Sequence, residues 1–338
     1  MRTAPVGRVV PVGRGRGASG PAVVALGGGH GLAASLSALK HLAGRLTAVV
    51  TVADDGGSSG RLRAEFGGLP PGDLRMALSA LCDDSEWGHT WRDVLQMRLH
   101  SDGPLDRHAV GNILIIALWE LLGDPVDGLD WVGRLLGARG RVLPMAAVPL
   151  DIEAEVVPAG ADAASQVIRG QRNVAVTGGH VEHIRLLPPD PPARPEAVEA
   201  ILEADWVVLG PGSWYTSVIP HLLVPDLRDA LLRTTARRAL TLNLCPQPGE
   251  TTGYTAEHHV EVLAEHAPDL RLDVVVADPV AVEDVDRLSR AAARLGARVL
   301  LRQVRAGSDA TRHDPLRLAA AYRDAFESFF GDVGTVAG

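Results

Sequence analysis

A chain of 338 residues with 46% hydrophobic side chains can bury a large core, as one big domain or two ordinary ones. With aromatics at only 4% that core has to be aliphatic, which suits an α/β protein with buried parallel strands. The formal net charge of -8, with no lysine-rich or aromatic-interleaved face, argues against nucleic acid as a partner, although a local cluster of arginines can still meet a phosphate. No run reaches the roughly 18 apolar residues of a membrane span.

In chain order, MRTAPVGRVVPVGRGRGASGP has arginines but no apolar h-region, so residues 1–21 read as a disordered leader of a cytoplasmic protein. Ala22–Leu26 is a short apolar strand ending in GGGHG, and Leu32, Leu36, Leu39 and Leu42 then repeat at helical spacing. Thr47–Val52 is a second strand running into ADDGGSSGRLR. Helices are expected over Asp73–Leu81 and Asn112–Leu122, and a strand over Arg141–Ala147. Residues 148–190 alternate polar and apolar, which predicts a β-rich insertion of short antiparallel strands. A helix over Pro195–Glu203 leads to a strand at Trp206–Leu209 ending in GPGSWYTS, then to another at Ala239–Leu244 ending in NLCPQPGETTGY. A helix from Ala256, strands at Asp273–Ala277 and Arg298–Leu301 with a helix between them, and a terminal helix over Pro315–Phe330 complete residues 22–330, with 331–338 as a tail. This alternation predicts a Rossmann-like, doubly wound, mostly parallel sheet, with ligands beyond the carboxyl ends of its strands. The motif-rich loops, 27–31, 54–61, 210–217 and 243–253, all fall there. Cys82 and Cys245 form neither a CxxC pair nor a disulfide framework and read as buried reduced thiols.

Gly28, Gly29 and Gly31 bring bare backbone N–H groups to a helix start, a cradle for phosphate; His30 either touches a phosphate oxygen or fills the turn. The dinucleotide fingerprint is unmet, since its third glycine would fall at position 32, a leucine, and no P-loop lysine follows. Asp54 and Asp55 repel unless something positive or hydroxylic joins them. They bind Mg²⁺ bridging to phosphates, or one takes a ribose hydroxyl, or Asp55 caps a turn with Arg61 as its ionic partner. Gly56, Gly57, Ser58 and Ser59 offer donors with little bulk, and Arg61 could fork onto a phosphate. Asp73 reads as a helix N-cap with Arg75 at the surface, or both as site residues, and Asn112 as a cap or a ligand reader. Gly210, Gly212, Ser213, Thr216 and Ser217 can serve a second anion, with Tyr215 or Trp214 stacking on a base or lining the pocket. A GxSxG hydrolase elbow is excluded, since Pro211 and Tyr215 flank the serine where glycines are needed. Asn243, Gln247, Glu250 and Thr251 stand on the same rim, and Arg312 precedes the last helix. His258 and His259 are adjacent on a helix and make poor joint ligands.

These segments, AVVALGGGHGL, LTAVVTVADDGGSSGRLR, LPPGDLRMAL, GNILIIAL, LGPGSWYTSVIPHLLV and PQPGETTGYTAEHH, resemble the YvcK/CofD family over about residues 22–330. GGGHG, where most of the family has GGGTG, looks like its actinobacterial form. The resemblance implies a Rossmann-like sheet with an added β region. It also implies one of two functions. CofD-type members transfer a phospholactyl-type group to a deazaflavin with Mg²⁺. YvcK-type members look like nucleotide-sugar-binding regulators of cell shape and wall synthesis on gluconeogenic carbon, and VADDGGSSGRLR with PPGDLR and PQPGET is similar to that branch. Carried over, Gly28–Gly31 and Asp54–Ser59 would hold phosphates and ribose, Asn112, Gly212, Ser213 and Asn243 would complete the pocket, and Arg312 would lie near a UDP-sugar such as UDP-N-acetylglucosamine or UDP-glucose. A regulatory protein partner and self-association are compatible with that role; an NAD-binding protein is a third reading, weakened by the missing glycine.

Overall fold

The computed structural model describes residues 20–158, 164–247, 249–307 and 309–330. The expected tail and all but the last two residues of the expected leader lie outside them. Strand β1 (Ala22–Gly27) feeds α1 (Gly29–Leu39), and β2 (Arg45–Val50) feeds α2 (Gly57–Phe66) and α3 (Gly72–Leu81). Helices α4 (Glu86–Gln96), α5 (Val110–Leu122) and α6 (Pro125–Leu135) precede β3 (Arg141–Pro144). Next come β4 (Asp151–Val157), β5 (Gln166–Arg169), α7 (Gln171–Ala175), β6 (His180–Leu187) and α8 (Pro195–Leu202). The chain then runs through β7 (Trp206–Leu209), a π-helical turn at Trp214–Val218, α9 (Pro220–Leu223), α10 (Pro225–Arg233) and β8 (Arg237–Thr241). It continues with α11 (Ala256–His266), β9 (Val274–Ala277), α12 (Val285–Arg294), β10 (Arg298–Leu301) and α13 (Pro315–Phe330).

Seven strands make one wholly parallel sheet in the order β10-β9-β8-β7-β1-β2-β3. The strand sequences are apolar without alternation because both faces are covered; β7 and β9 are buried at every residue. Strand order reverses on either side of β1. With right-handed crossovers, the helices after β1 and β2 cover one face and those after β7, β8 and β9 the other. The crevice between β1 and β7 is therefore the topological switch point. Register brings the tips level: Leu26 lies opposite Leu209, Gly27 opposite Val50, and Leu209 opposite Leu240.

The expected β-rich insertion is a three-stranded antiparallel sheet, β5-β4-β6, with Ile152, Ala154 and Val156 of β4 turned inward. Arg63 of α2 ties it to the main body, donating to Asp151 (2.7 Å) and to the Leu150 carbonyl (2.8 Å). At the other end, Tyr322 of α13 is fully buried, with its hydroxyl 2.8 Å from Ser35 of α1 and 2.9 Å from Thr241 of β8.

Several boundaries differ from the sequence reading. The second strand stops at Val50, although Thr51 still donates to the Gly27 carbonyl (3.0 Å), and Val52 then accepts from Leu150 (3.1 Å). ADDGGSSGRLR is not a loop throughout; α2 begins inside it. Helices α4, α6 and α10 also lie in stretches read without elements. Of the cysteines, Cys82 is buried as expected, whereas Cys245 is exposed because its loop lies beyond the end of β8. No described helix is long and apolar enough to cross a membrane.

Candidate functional site

The two glycine loops meet at the switch point. Gly28 caps α1 in extended conformation, and a Cβ there would run into the methyl of Thr51, Asp73 Oδ2 and Ser217 Oγ. At Gly31 a Cβ would meet the carbonyl of Pro211 and the Cα of Gly212. These positions need glycine for close approach, since two backbones and a buried carboxyl leave no room for a side chain. His30 stands exposed between them, and Gly210 closes β7 with its N–H on the Leu26 carbonyl (3.2 Å).

The two aspartates diverge. Asp54 accepts the Gly56 N–H at 2.9 Å and lies against Gly72 at the start of α3. Burial, with the charge of Asp55 adding, raises its carboxyl above the ordinary range. Asp55 instead reaches across to the small sheet and accepts the Arg172 N–H at 2.9 Å, at the start of α7. It thus accepts at a helix start, and Arg61 is not its ionic partner. That guanidinium donates to the carbonyls of Asp106 (2.6 Å) and Pro104 (3.3 Å). Gly57 is exposed on the open side, whereas both serines turn inward. Ser59 accepts the Gly72 N–H (3.0 Å); Ser58 joins His108 Nδ1 (3.1 Å), the Ala109 N–H (3.2 Å) and Asn112 Nδ2 (3.1 Å), clamping α2 to α5.

Asp73 is the least ordinary carboxylate here. It sits in the first turn of α3, only 8% exposed, under the first glycine loop. Burial, reinforced by the charge of Asp54, pushes it up to about 7 against the Gly29 N–H and Arg75, which favour ionisation. Its Oδ2 has no hydrogen-bond partner among the described residues. Arg75, read as either a surface or a site residue, is buried; its Nε donates to Asn112 Oδ1 at 2.8 Å and its Nη1 to Gln96. Asn112 is thus held at both ends of its amide.

The second loop spends most of its donors internally. Gly212 N–H donates to Asn243 Oδ1 (2.9 Å), and Asn243 Nδ2 returns to the Gly212 carbonyl (2.8 Å). Ser213 starts the π turn, and Ser217 is buried beside Gly28. Trp214 and Tyr215 are buried rather than open to a base; the Tyr215 hydroxyl bonds Tyr254 (2.8 Å) and the Val181 carbonyl (3.1 Å). Glu250 is 3% exposed and pushed to about 7 by burial, opposed by the Thr216 hydroxyl and the N–H groups of Trp214, Tyr215 and Thr216. Those donors are close enough to favour its charge, yet among the described residues neither carboxylate oxygen closes a hydrogen bond of ordinary geometry. Gln247 N–H donates to Thr251 Oγ1 (2.8 Å), holding the loop that carries Glu250. Arg312 is exposed, and the neighbouring His313 reaches the backbone of Leu242, which places Arg312 at the tip of β8.

Cutting the reciprocal pair with Asn243→Ala leaves Gly212 without its partner, and is expected to cost about 1–3 kcal/mol in urea unfolding. No destabilisation would mean that the loop is held elsewhere. Sequence reasoning missed Thr51, His108, Gln96 and Arg98 around this site. For Gln96 a signal existed: Ser85 as N-cap, with Trp87, Trp91, Val94 and Leu95 at helical spacing, marks α4, and Arg98 follows just past its end.

The family model described as 2-phospho-L-lactate transferase CofD matches residues 23–313. The chain belongs to the CofD family. Among members of that family it is 53% identical to a Mycobacterium leprae protein named "Putative gluconeogenesis factor", over 90% of this chain and 85% of that protein. It is 36% identical to the gluconeogenesis factor of Bacillus subtilis, over 78% of this chain and 80% of that one. The crystal structure of a UPF0052 family protein from Bacillus halodurans superposes with a TM-score of 0.81 at 32% identity, covering 90% of this chain and 99% of that one. The Rossmann-like reading and the resemblance to the YvcK/CofD family both stand on these likenesses.

Proposed function

We propose that this CofD-family chain binds a UDP-sugar, UDP-N-acetylglucosamine or UDP-glucose, at the strand tips. In this reading it acts by binding rather than turnover, as a cytoplasmic regulator of cell shape and wall synthesis during gluconeogenic growth. The observation that carries the reading is the packing of the β1 and β7 glycine loops against each other beside a buried, half-unpartnered Asp73. The loops offer bare backbone to phosphates, and Asp54 and the exposed Gly57 turn lie within the same rim. The relatives' names supply the gluconeogenic setting.

Mg²⁺ fits these residues in an altered pairing. Both Asp54 and Asp73 are raised by burial, the charge of Asp54 adds to the demand of Asp73 for a proton, and Asp73 Oδ2 has no donor among the described residues, so these two carboxylates would hold a cation. Asp55, committed to Arg172, would not contribute. When bound, the ion would neutralise phosphate charge. The residues of the chain itself position the nucleotide: the first loop through its backbone, Asn243 by fixing Gly212, and Arg312 from the β8 rim.

Calorimetric titration with UDP-N-acetylglucosamine, with and without Mg²⁺, is expected to give saturable heat that Asp54→Asn weakens, and NAD is expected to give none. Absence of heat at millimolar UDP-sugar with folded protein would sink the reading. One observation favours a second reading, a Mg²⁺-dependent phospholactyl-type transferase. Asp73 lies buried against the first glycine loop with an Oδ2 that no described donor meets, and burial raises its demand for a proton, as a proton acceptor at the rim requires. Formation of a phospholactyl-deazaflavin product, lost in Asp54→Asn, would select it.

A further inference from the structure

A groove of about 350 Å³ opens at His30 and runs between α1, α3 and α4. It is lined by three arginines, Arg75, Arg92 and Arg98, and by no carboxylate. In a chain of net charge -8 this is a local inversion. Burial, followed by the neighbouring charge of Arg98, pulls Arg75 down to about 10, so the two guanidinium groups are near enough to repel. Neither forms an ion pair among the described residues. Arg75 donates to the neutral amides of Asn112 and Gln96, and Arg98 to the Arg107 carbonyl at 3.0 Å. Arg92 meets only its exposed neighbour Asp93, at 3.1 Å.

A second, independent feature points the same way. Ser79, 4% exposed, lines this groove, and its hydroxyl has no hydrogen-bond partner among the described residues. A helical serine usually returns its hydroxyl to the preceding turn, and this one does not. A buried hydroxyl donor beside guanidinium forks, two of which, Arg75 and Arg98, form no ion pair among the described residues, is the complement of a multiply charged oxyanion.

We propose that the α1–α3–α4 groove is a phosphate-binding subsite, with Arg75, Arg92 and Arg98 meeting the oxyanion and Ser79 donating to it. The site stands on its own residues, not on the nucleotide-sugar reading. Its mouth at His30 joins the first glycine loop, so the phosphoryl group comes either from the crevice ligand's own diphosphate or from a separate phosphate ester.

The test is titration of the full chain with inorganic phosphate at low salt, and separately with UDP-N-acetylglucosamine, for the wild type, Arg98→Gln and Ser79→Ala. Arg98 is exposed, so its replacement leaves the fold intact; melting curves check this. Saturable phosphate binding is expected, weakened at least tenfold by Arg98→Gln, severalfold by Ser79→Ala, and steadily by added chloride. If phosphate competes with UDP-N-acetylglucosamine and Arg98→Gln weakens both, the groove holds the nucleotide's own phosphates. If the two bind independently and Arg98→Gln spares the nucleotide, it holds a separate ester. No saturable phosphate binding, or binding that neither substitution changes, overturns the proposal. UDP-N-acetylglucosamine binding that persists in that case leaves the crevice reading standing, and its loss while phosphate still binds does the reverse.

Discussion

Asp73→Asn is expected to stabilise the ligand-free protein at pH 8 while weakening ligand binding. The ordinary value for an aspartate is 3.8, and burial with the Asp54 charge moves this one to about 7. The folded state therefore holds a proton that the unfolded chain releases in that interval. Stability contributed by this proton is complete below about pH 4 and is lost as pH rises through about 7. Above that the charged, buried carboxylate is a penalty of up to about 4 kcal/mol, since each pH unit is worth about 1.4 kcal/mol. Asparagine removes the charge, keeps an oxygen for the Gly29 N–H and offers its NH₂ to Asp54. Urea unfolding at pH 5 and pH 8 should show the wild type losing stability between them and the variant losing less, with an expected gain of about 2–4 kcal/mol at pH 8. Glu250, moved from 4.5 to about 7, acts with the same sign in nearly the same window and leaves a residual slope in the variant. The same substitution removes the carboxylate that fits Mg²⁺, so any Mg²⁺-dependent part of UDP-sugar binding should vanish. A variant less stable than the wild type at pH 8 would show that Asp73 is ionised and well solvated.

Gly31→Ala should do the opposite to stability and similar harm to binding. One methyl group there meets the Pro211 carbonyl and the Gly212 Cα, backbone atoms with no rotamer to yield. The β1 and β7 loops must part, at an expected cost of about 1–3 kcal/mol or more. Because the displaced atoms are those proposed to face the UDP-sugar, a loss of at least tenfold in its affinity is expected, read by calorimetry on folded variant. Unchanged stability and affinity would mean that the loops separate freely and do not form one rigid cradle.

Much of this was visible in the sequence. The strand cores and the glycine-rich tips that end them were legible because a strand buried on both faces is a plain apolar run. The pairing of loops at the switch point followed from the alternation of elements. What was not legible depends on distant partners. Nothing near Asp55 announces that its acceptor role is spent on Arg172, 117 residues away. Ser58 and Ser59 look like open ligand donors, yet the turn they start is a helix, which faces them inward to α5 and α3. Tyr215 reads as a stacking surface, but its hydroxyl belongs to Tyr254, 39 residues on. Asp73 could be placed at a helix start from Pro70–Gly72, but its burial beneath another loop is a tertiary fact.

The buried phenol of Tyr322 joins the first helix to β8, the second strand outward from the switch point, holding Ser35 and Thr241 on one oxygen, while Ser35 also holds the Gly210 carbonyl at 3.0 Å. Both glycine loops at the switch point are therefore fastened from behind by α13, a helix far along the chain from either of them. A growing polypeptide makes both glycine loops before Tyr322, and they gain this shared anchor only once that residue has left the ribosome.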